Sequence, residues 1–267
     1  GFILRGVNLS NFPPSVNWDE VSLGYNAYSL LQTGRDEWGQ TLPIIFRAFG
    51  DYKLPGYVYA AIVPVRIFGL NEVAVRLSSV VAGTILMLVG FVLGTRLLKR
   101  WYWGLYLAML IGISPWSWFL SRVAVEANLA LMLVTLGIAL LIFKKVGWGI
   151  LFLGLSAWTY NSARMFVPGF LLAHFLLFRH TIKLHTAHYA LLIFLFVPVG
   201  LQLLSPSGQA RYGWLTILDS GAIEQINQLQ QQPGGRIVHN KATYLTVQVI
   251  KNYLAHFSPN FLFIKGG

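Results

Sequence analysis

The chain of 267 residues holds only nine acidic side chains; Asp36 and Glu37 form one adjacent pair, Asp19 and Glu20 another. Behind them Val21, Tyr25, Tyr28 and Leu31 recur at spacings of three and four. That period predicts a helix from Asp19 to Thr33, with both carboxylates in its first turn, where they suit the helix dipole. A carboxylate placed there among apolar neighbours can also take a proton as a general base; N-terminal capping is the plainer role. Lys53 lies just before Pro55 and suits a phosphate group, or simply extends to an interface. Arg164, within Tyr160-Asn-Ser-Ala-Arg164, is a second phosphate candidate because a guanidinium donates bidentately. Arg122 and Glu126 stand four apart, so on one helix they share a face and pair. Asp19, Glu20 and Asp51 are hard oxygen donors of the kind a divalent cation accepts. The six histidines offer no metal spacing beyond His185 and His188, and a chain with no cysteine excludes thiolate chemistry and disulfides.

The elements that must position these residues follow from composition. Apolar residues make up 55% of the chain, charged residues 11%, and the net charge is +11. A soluble domain has about a quarter of its residues charged, so lipid is the expected surrounding. Basic residues fall in small groups between apolar runs, the pattern of cytoplasmic loops near anionic headgroups. The bilayer, and not nucleic acid, is therefore the expected partner. Apolar runs cover 54–70, 73–98, 103–120, 124–143, 147–161, 165–178 and 187–204, while 5–53 and 205–258 are polar and aromatic. The expected fold is all-α: a polytopic transmembrane helical bundle over 1–204, with a first outer loop at 5–53, an interfacial helix at 54–70, and an extracytoplasmic region at 205–267.

Charge orients this arrangement. If each run from 73–98 onward crosses once, the turns holding Arg96, Lys99 and Arg100, Lys144 and Lys145, and Arg179 and Lys183 share one side, which the positive-inside rule makes cytoplasmic. The run 54–70, with Pro55, Pro64 and Arg66, must then lie at the interface. The outer side receives Asp19, Glu20, Asp36, Glu37, Asp51, Lys53, Arg122, Glu126 and Arg164. Trp18, Trp38, Trp116, Trp118 and Trp158 fall near the same side, as an aromatic belt or a stacking surface for sugar or isoprenoid. No Walker motif or Gly-x-Gly-x-x-Gly loop supports nucleotide binding. Gly1 and the apolar ending at Phe261-Leu-Phe-Ile264 read as cut ends of a longer membrane protein.

Four stretches in order carry a resemblance. They are Asn17-Trp-Asp-Glu-Val-Ser-Leu-Gly-Tyr-Asn-Ala-Tyr28; Gly50-Asp-Tyr-Lys-Leu-Pro-Gly-Tyr57 running on to Phe68-Gly-Leu-Asn-Glu-Val-Ala-Val-Arg76; Ser114-Pro-Trp116 through Ser121-Arg122 to Glu126; and Tyr160-Asn-Ser-Ala-Arg-Met-Phe-Val-Pro168. Together the set resembles the lipid carrier-dependent glycosyltransferases of the GT-C superfamily, in the group of protein O-mannosyltransferases and aminoarabinose transferases (glycosyltransferase family 39 and its bacterial relatives). The resemblance implies transfer of a sugar, with inversion, from a polyprenyl-phosphate donor to an acceptor hydroxyl on the extracytoplasmic side of a plasma membrane. It implies Asp19 as the base in the Asp-Glu pair with Glu20, and Lys53 at the donor phosphate; on charge grounds Arg164 joins Lys53 there. Asp51, Arg122 and Glu126 support them, Glu126 standing where relatives often carry Asp and Asp51 beside Tyr52, where some carry Glu. No cofactor is required, and the acceptor, whether protein, lipid or glycan, stays open. The competing reading is a membrane transporter or lipid flippase, which should place ionisable residues in mid-membrane or show inverted repeats.

Overall fold

The computed structural model describes residues 1–180, 184–206, 208, 218, 220–231 and 239–261. Lys183 falls outside them. The chain divides into two units, 1–208 and 209–267. Twelve helices are found among the described residues. In the first unit, α1 (Phe2–Gly6) and α2 (Trp18–Thr33) precede a small hairpin of β1 (Phe46–Ala48) and β2 (Asp51–Lys53). There follow α3 (Pro55–Phe68), α4 (Glu72–Leu98), α5 (Trp101–Ile113), α6 (Pro115–Leu120), α7 (Glu126–Ile142), α8 (Val146–Ala157), α9 (Asn161–Leu177) and α10 (Thr186–Leu204). The second unit holds α11 (Ser220–Gln230) and α12 (Lys241–Ala255), the latter opened by an Asn240 side chain accepting from the Thr243 N–H at 3.0 Å.

The helical character expected from the sequence holds, with two local departures. A two-stranded antiparallel hairpin interrupts the first loop: Phe46 faces Lys53, and the chain reverses through Phe49 and Gly50, both at positive φ. Such turns match the twist of paired strands, and the glycine makes the second position inexpensive. The run 103–120 is broken at Ser114-Pro115, where a proline that cannot donate starts a new helix. Among the described residues α4 and α10, of 27 and 19 residues, are the two helices long and apolar enough to cross a bilayer; α3, α5, α7 and α8 are shorter apolar helices.

Packing in the first unit sets the site. Leu23, Ala27 and Leu30 of α2 meet Tyr57, Val58, Ala61 and Val65 of α3 and the start of α4 in one apolar cluster that includes Phe46 of the hairpin. The buried Tyr57 hydroxyl donates to the Val75 carbonyl at 2.9 Å and meets Ser79 Oγ at 3.0 Å, locking α3 to α4. Burial pushes this phenol well above its ordinary range, so it stays protonated. Helices α4 and α7 run in parallel: Asn128 donates to the Ser79 carbonyl near their starts, and Arg96 lies 5.8 Å from the Phe143 ring near their ends. Helix α5 returns along α4, with Gly94 built so close that a Cβ would sit 2.9 Å from Gly104 Cα. Likewise a Cβ on Gly137 of α7 would reach the Gly149 carbonyl of α8 at 3.1 Å. Close backbone approach at small residues is how helices associate without a hydrophobic drive from water.

Candidate active site

Asn17, the residue before α2, decides where the two carboxylates point. Its side chain accepts from the Glu20 N–H at 2.8 Å while its own N–H donates to Glu20 Oε2 at 3.1 Å, a reciprocal capping box. This turns Glu20 inward, and 56 residues later Arg76 meets it, Nε to Oε1 at 2.8 Å and Nη2 to Oε2 at 3.0 Å. The Ala124 N–H donates to Oε1 at 2.8 Å. Glu20 therefore accepts four N–H groups, and it and Arg76 are both buried. A carboxylate so saturated stabilises the fold and has no lone pair left to take a proton from an acceptor; expected as catalytic, Glu20 is an anchor.

Asp19, next along the helix, points the other way. Its side chain stays half exposed, and Oδ1 lies 2.9 Å from the Lys53 ammonium. Asp51 Oδ2 is 3.9 Å from the same nitrogen. The hairpin register produces this: Lys53 closes β2 opposite Phe46 of the apolar cluster, so its stem is buried while its head reaches Asp19. One ammonium thus sits between two carboxylates, an acid–base pair open to solvent on the Asp19 side.

The neighbouring turns are tied to this pair. The Gly56 N–H, just past Lys53 and Pro55, donates to the Trp158 carbonyl at 3.0 Å. A Cβ at Gly56 would stand 2.9 Å from Thr159 Cα. The α3 start is thereby pressed against the α8–α9 turn that precedes Tyr160 and Arg164. Arg164 itself is buried; it donates to the Ala157 carbonyl at 3.0 Å and to Gln202 Oε1 of α10. Expected at a phosphate, it instead braces that turn from within, which leaves Lys53 as the cation facing the pair.

Arg122 also departs from expectation. It lies before α7 rather than on it, so no helical i, i+4 face joins it to Glu126, which is the first residue of α7. Its guanidinium donates to five carbonyls, those of Leu4, Arg5, Val7, Asn8 and Phe12, at 2.9–3.3 Å. Arg76 adds the carbonyls of Leu9, Pro13 and Ser15. Two arginines thus hold the segment that leads into Asn17 and α2. Fully buried Arg5 continues this scaffold, reaching Ser117 and Ser121 at 3.1 Å.

Asp36 and Glu37 fold their own loop: Asp36 Oδ1 accepts from the Trp38 and Gln40 N–H groups, and Glu37 pairs with Asn26. His188 accepts from the His185 N–H at the start of α10. Among the described residues no three His, Asp or Glu side chains are gathered as metal ligands; Glu20 faces Arg76 while Asp19 and Asp51 face Lys53.

The structure brings Asp19, Asp51 and Lys53 together, and sets Glu20, Arg76, Arg122 and the Gly56 contact around them. The sequence reading assigned no role to Arg5 or Arg76 and none to Asn17. A signal existed for Arg76: an arginine inside Val73-Ala-Val-Arg-Leu77, in an apolar run, is costly unless paired. Compared with known protein families, curated proteins and solved structures, the chain matches none.

Proposed function

We propose that this chain acts as a membrane glycosyltransferase, moving a sugar from a polyprenyl-phosphate donor to an acceptor hydroxyl on the extracytoplasmic side of a plasma membrane. The observation that carries the reading is the Asp19–Lys53 contact of 2.9 Å, with Asp51 beyond it. The family resemblance sets the two residues in separate motifs; in the fold they meet.

In this reading the donor phosphate takes over the Lys53 ammonium, and Asp19 is released as a base. Asp19 accepts the proton of the acceptor hydroxyl, whose oxygen bonds to the anomeric carbon from the face opposite the leaving group. The anomeric carbon–oxygen bond to phosphate breaks, its electron pair leaves on the polyprenyl phosphate, and Lys53 balances that charge. The configuration inverts. Asp51 holds Lys53 in place between turnovers.

The charge layout supports the topology belonging to this reading, a polytopic bundle with α3 at the interface. The Asp19–Lys53 and Glu20–Arg76 pairs lie beside the start of α4. Arg96, Lys99 and Arg100 lie at its other end. From Arg76 to Arg96 a helix rises about 30 Å, the thickness of a bilayer's hydrocarbon core. Helix α3, at 14 residues, is about 21 Å long and too short to cross. The transporter reading has less support, because these ionisable groups gather at helix ends.

The test is sugar transfer from a defined polyprenyl-phosphate sugar by the purified protein in detergent or liposomes. Asp19→Asn is expected to lower the rate by roughly 10²- to 10⁴-fold with inserted protein unchanged. Full transfer by Asp19→Asn would remove the base and the reading with it.

A further inference from the structure

Far from Asp19, a cavity of 460 Å³ opens where α4 ends, α5 begins and Phe143 closes α7. Three cations border it, Arg96, Lys99 and Arg100, and Phe91, Val92 and Trp101 supply apolar wall. Nothing in the proposed sugar transfer uses these groups.

Among the described residues none of the three forms an ion pair. All nine acidic residues lie within 19–72 or at 126, 219 and 224. Glu72 opens α4 and Glu126 opens α7, so each stands at the end of its helix away from the cavity. Along α7 that is about 25 Å. Lys144 and Lys145, directly after Phe143, add to the same sign. Dipole complementation explains Arg96, in the last turn of α4, and Lys99, its C-cap, but not Arg100. Arg100 stands at the N-cap of α5, where a positive charge meets the positive end of a helix. Three cations border one open volume, one of them at a helix end that disfavours it, and an anion seated there would offset their mutual repulsion.

We infer that this cavity binds the phosphodiester headgroup of an anionic phospholipid, with the acyl chains running along Phe91 and Val92 on α4. The apolar wall selects the source: inorganic phosphate gains nothing from Phe91, Val92 or Trp101, whereas a phospholipid presents an anionic head and an apolar stem in that order. Basic pockets between membrane helices bind such headgroups through the same division of charge and hydrocarbon. The site rests on the reading of α4 as a membrane span and not on the sugar chemistry.

Native mass spectrometry of the purified chain, offered equal phosphatidylglycerol and phosphatidylcholine, tests it. The wild-type chain is expected to retain phosphatidylglycerol preferentially. The triple variant Arg96→Gln/Lys99→Gln/Arg100→Gln should weaken that binding by roughly 100-fold, three cations each contributing about fivefold. Arg35→Gln/Arg47→Gln/Arg66→Gln removes equal charge in the first loop and α3 of the same unit and should retain the lipid. No preference in the wild-type chain, equal loss in both variants, or displacement by millimolar inorganic phosphate would each overturn the site. A chain that stays monodisperse without detergent would overturn the membrane reading itself, whereas one that needs detergent yet ignores phosphatidylglycerol sinks this site alone.

Discussion

Asp19 and Glu20 carry the same functional group one residue apart, and helix geometry sends them to different surroundings. Successive residues on a helix differ by about 100°, so once the Asn17 cap turns Glu20 toward Arg76, Asp19 must face outward to Lys53. Their substitutions should therefore separate. Glu20→Gln leaves Arg76 buried without its counter-charge, which costs about 3–5 kcal/mol; a melt should show a large fall in Tm, with transfer lost in proportion to folded protein. Asp19→Asn touches a half-exposed group and should leave the melt nearly unchanged while transfer collapses. A Glu20→Gln protein that melts like wild type would contradict the anchoring role. Lys53→Met should likewise abolish transfer, with donor affinity measurably weakened because the phosphate loses its cation.

The hairpin, α3 and the N-terminal segment act as elements that hold the pair. Gly56 is where α3 touches the α8–α9 turn, and Gly56→Ala would place a Cβ against the Thr159 backbone. Backbone cannot yield as a side chain does, so α3 should shift, at about 1–3 kcal/mol. Hydrogen exchange should quicken at residues 51–58 and 157–160 and not in α9 or α10; unchanged exchange would show that the contact is slack. Arg122 works on the same scale. Its five carbonyl acceptors lie on 4–12, and Arg122→Ala leaves them without their donor. Exchange should rise through residues 5–16, and Asp19 should lose its fixed approach to Lys53. That an exposed-looking turn arginine serves as a hub was invisible in sequence, since its partners are main-chain oxygens, which every residue carries.

Across the whole molecule, charge is divided along the helices. Two ion pairs, Asp19–Lys53 and Glu20–Arg76, stand beside the start of α4, and its other end carries Arg96, Lys99 and Arg100. With no cysteine in the chain, single cysteines report sidedness cleanly. Gln40→Cys in the exposed first loop should react with an impermeant thiol reagent added outside intact cells, and Lys99→Cys should react only after lysis. Labelling of both from outside would break the positive-inside assignment on which the topology stands.

By itself the sequence determined the helical content, the start of α2 at the Asp-Glu pair and the helix after Pro55. Those follow from periodicity and capping chemistry, both of which are local. Tertiary structure alone decided the partners. Lys53 meets Asp19 because a two-residue turn sets its strand register; Glu20 meets Arg76 across 56 residues and Ala124 across 104. It also withdrew Glu20, Arg122 and Arg164 into the scaffold. A charged side chain reads the same in sequence whether it faces a substrate or a buried counter-charge, and only packing distinguishes the two.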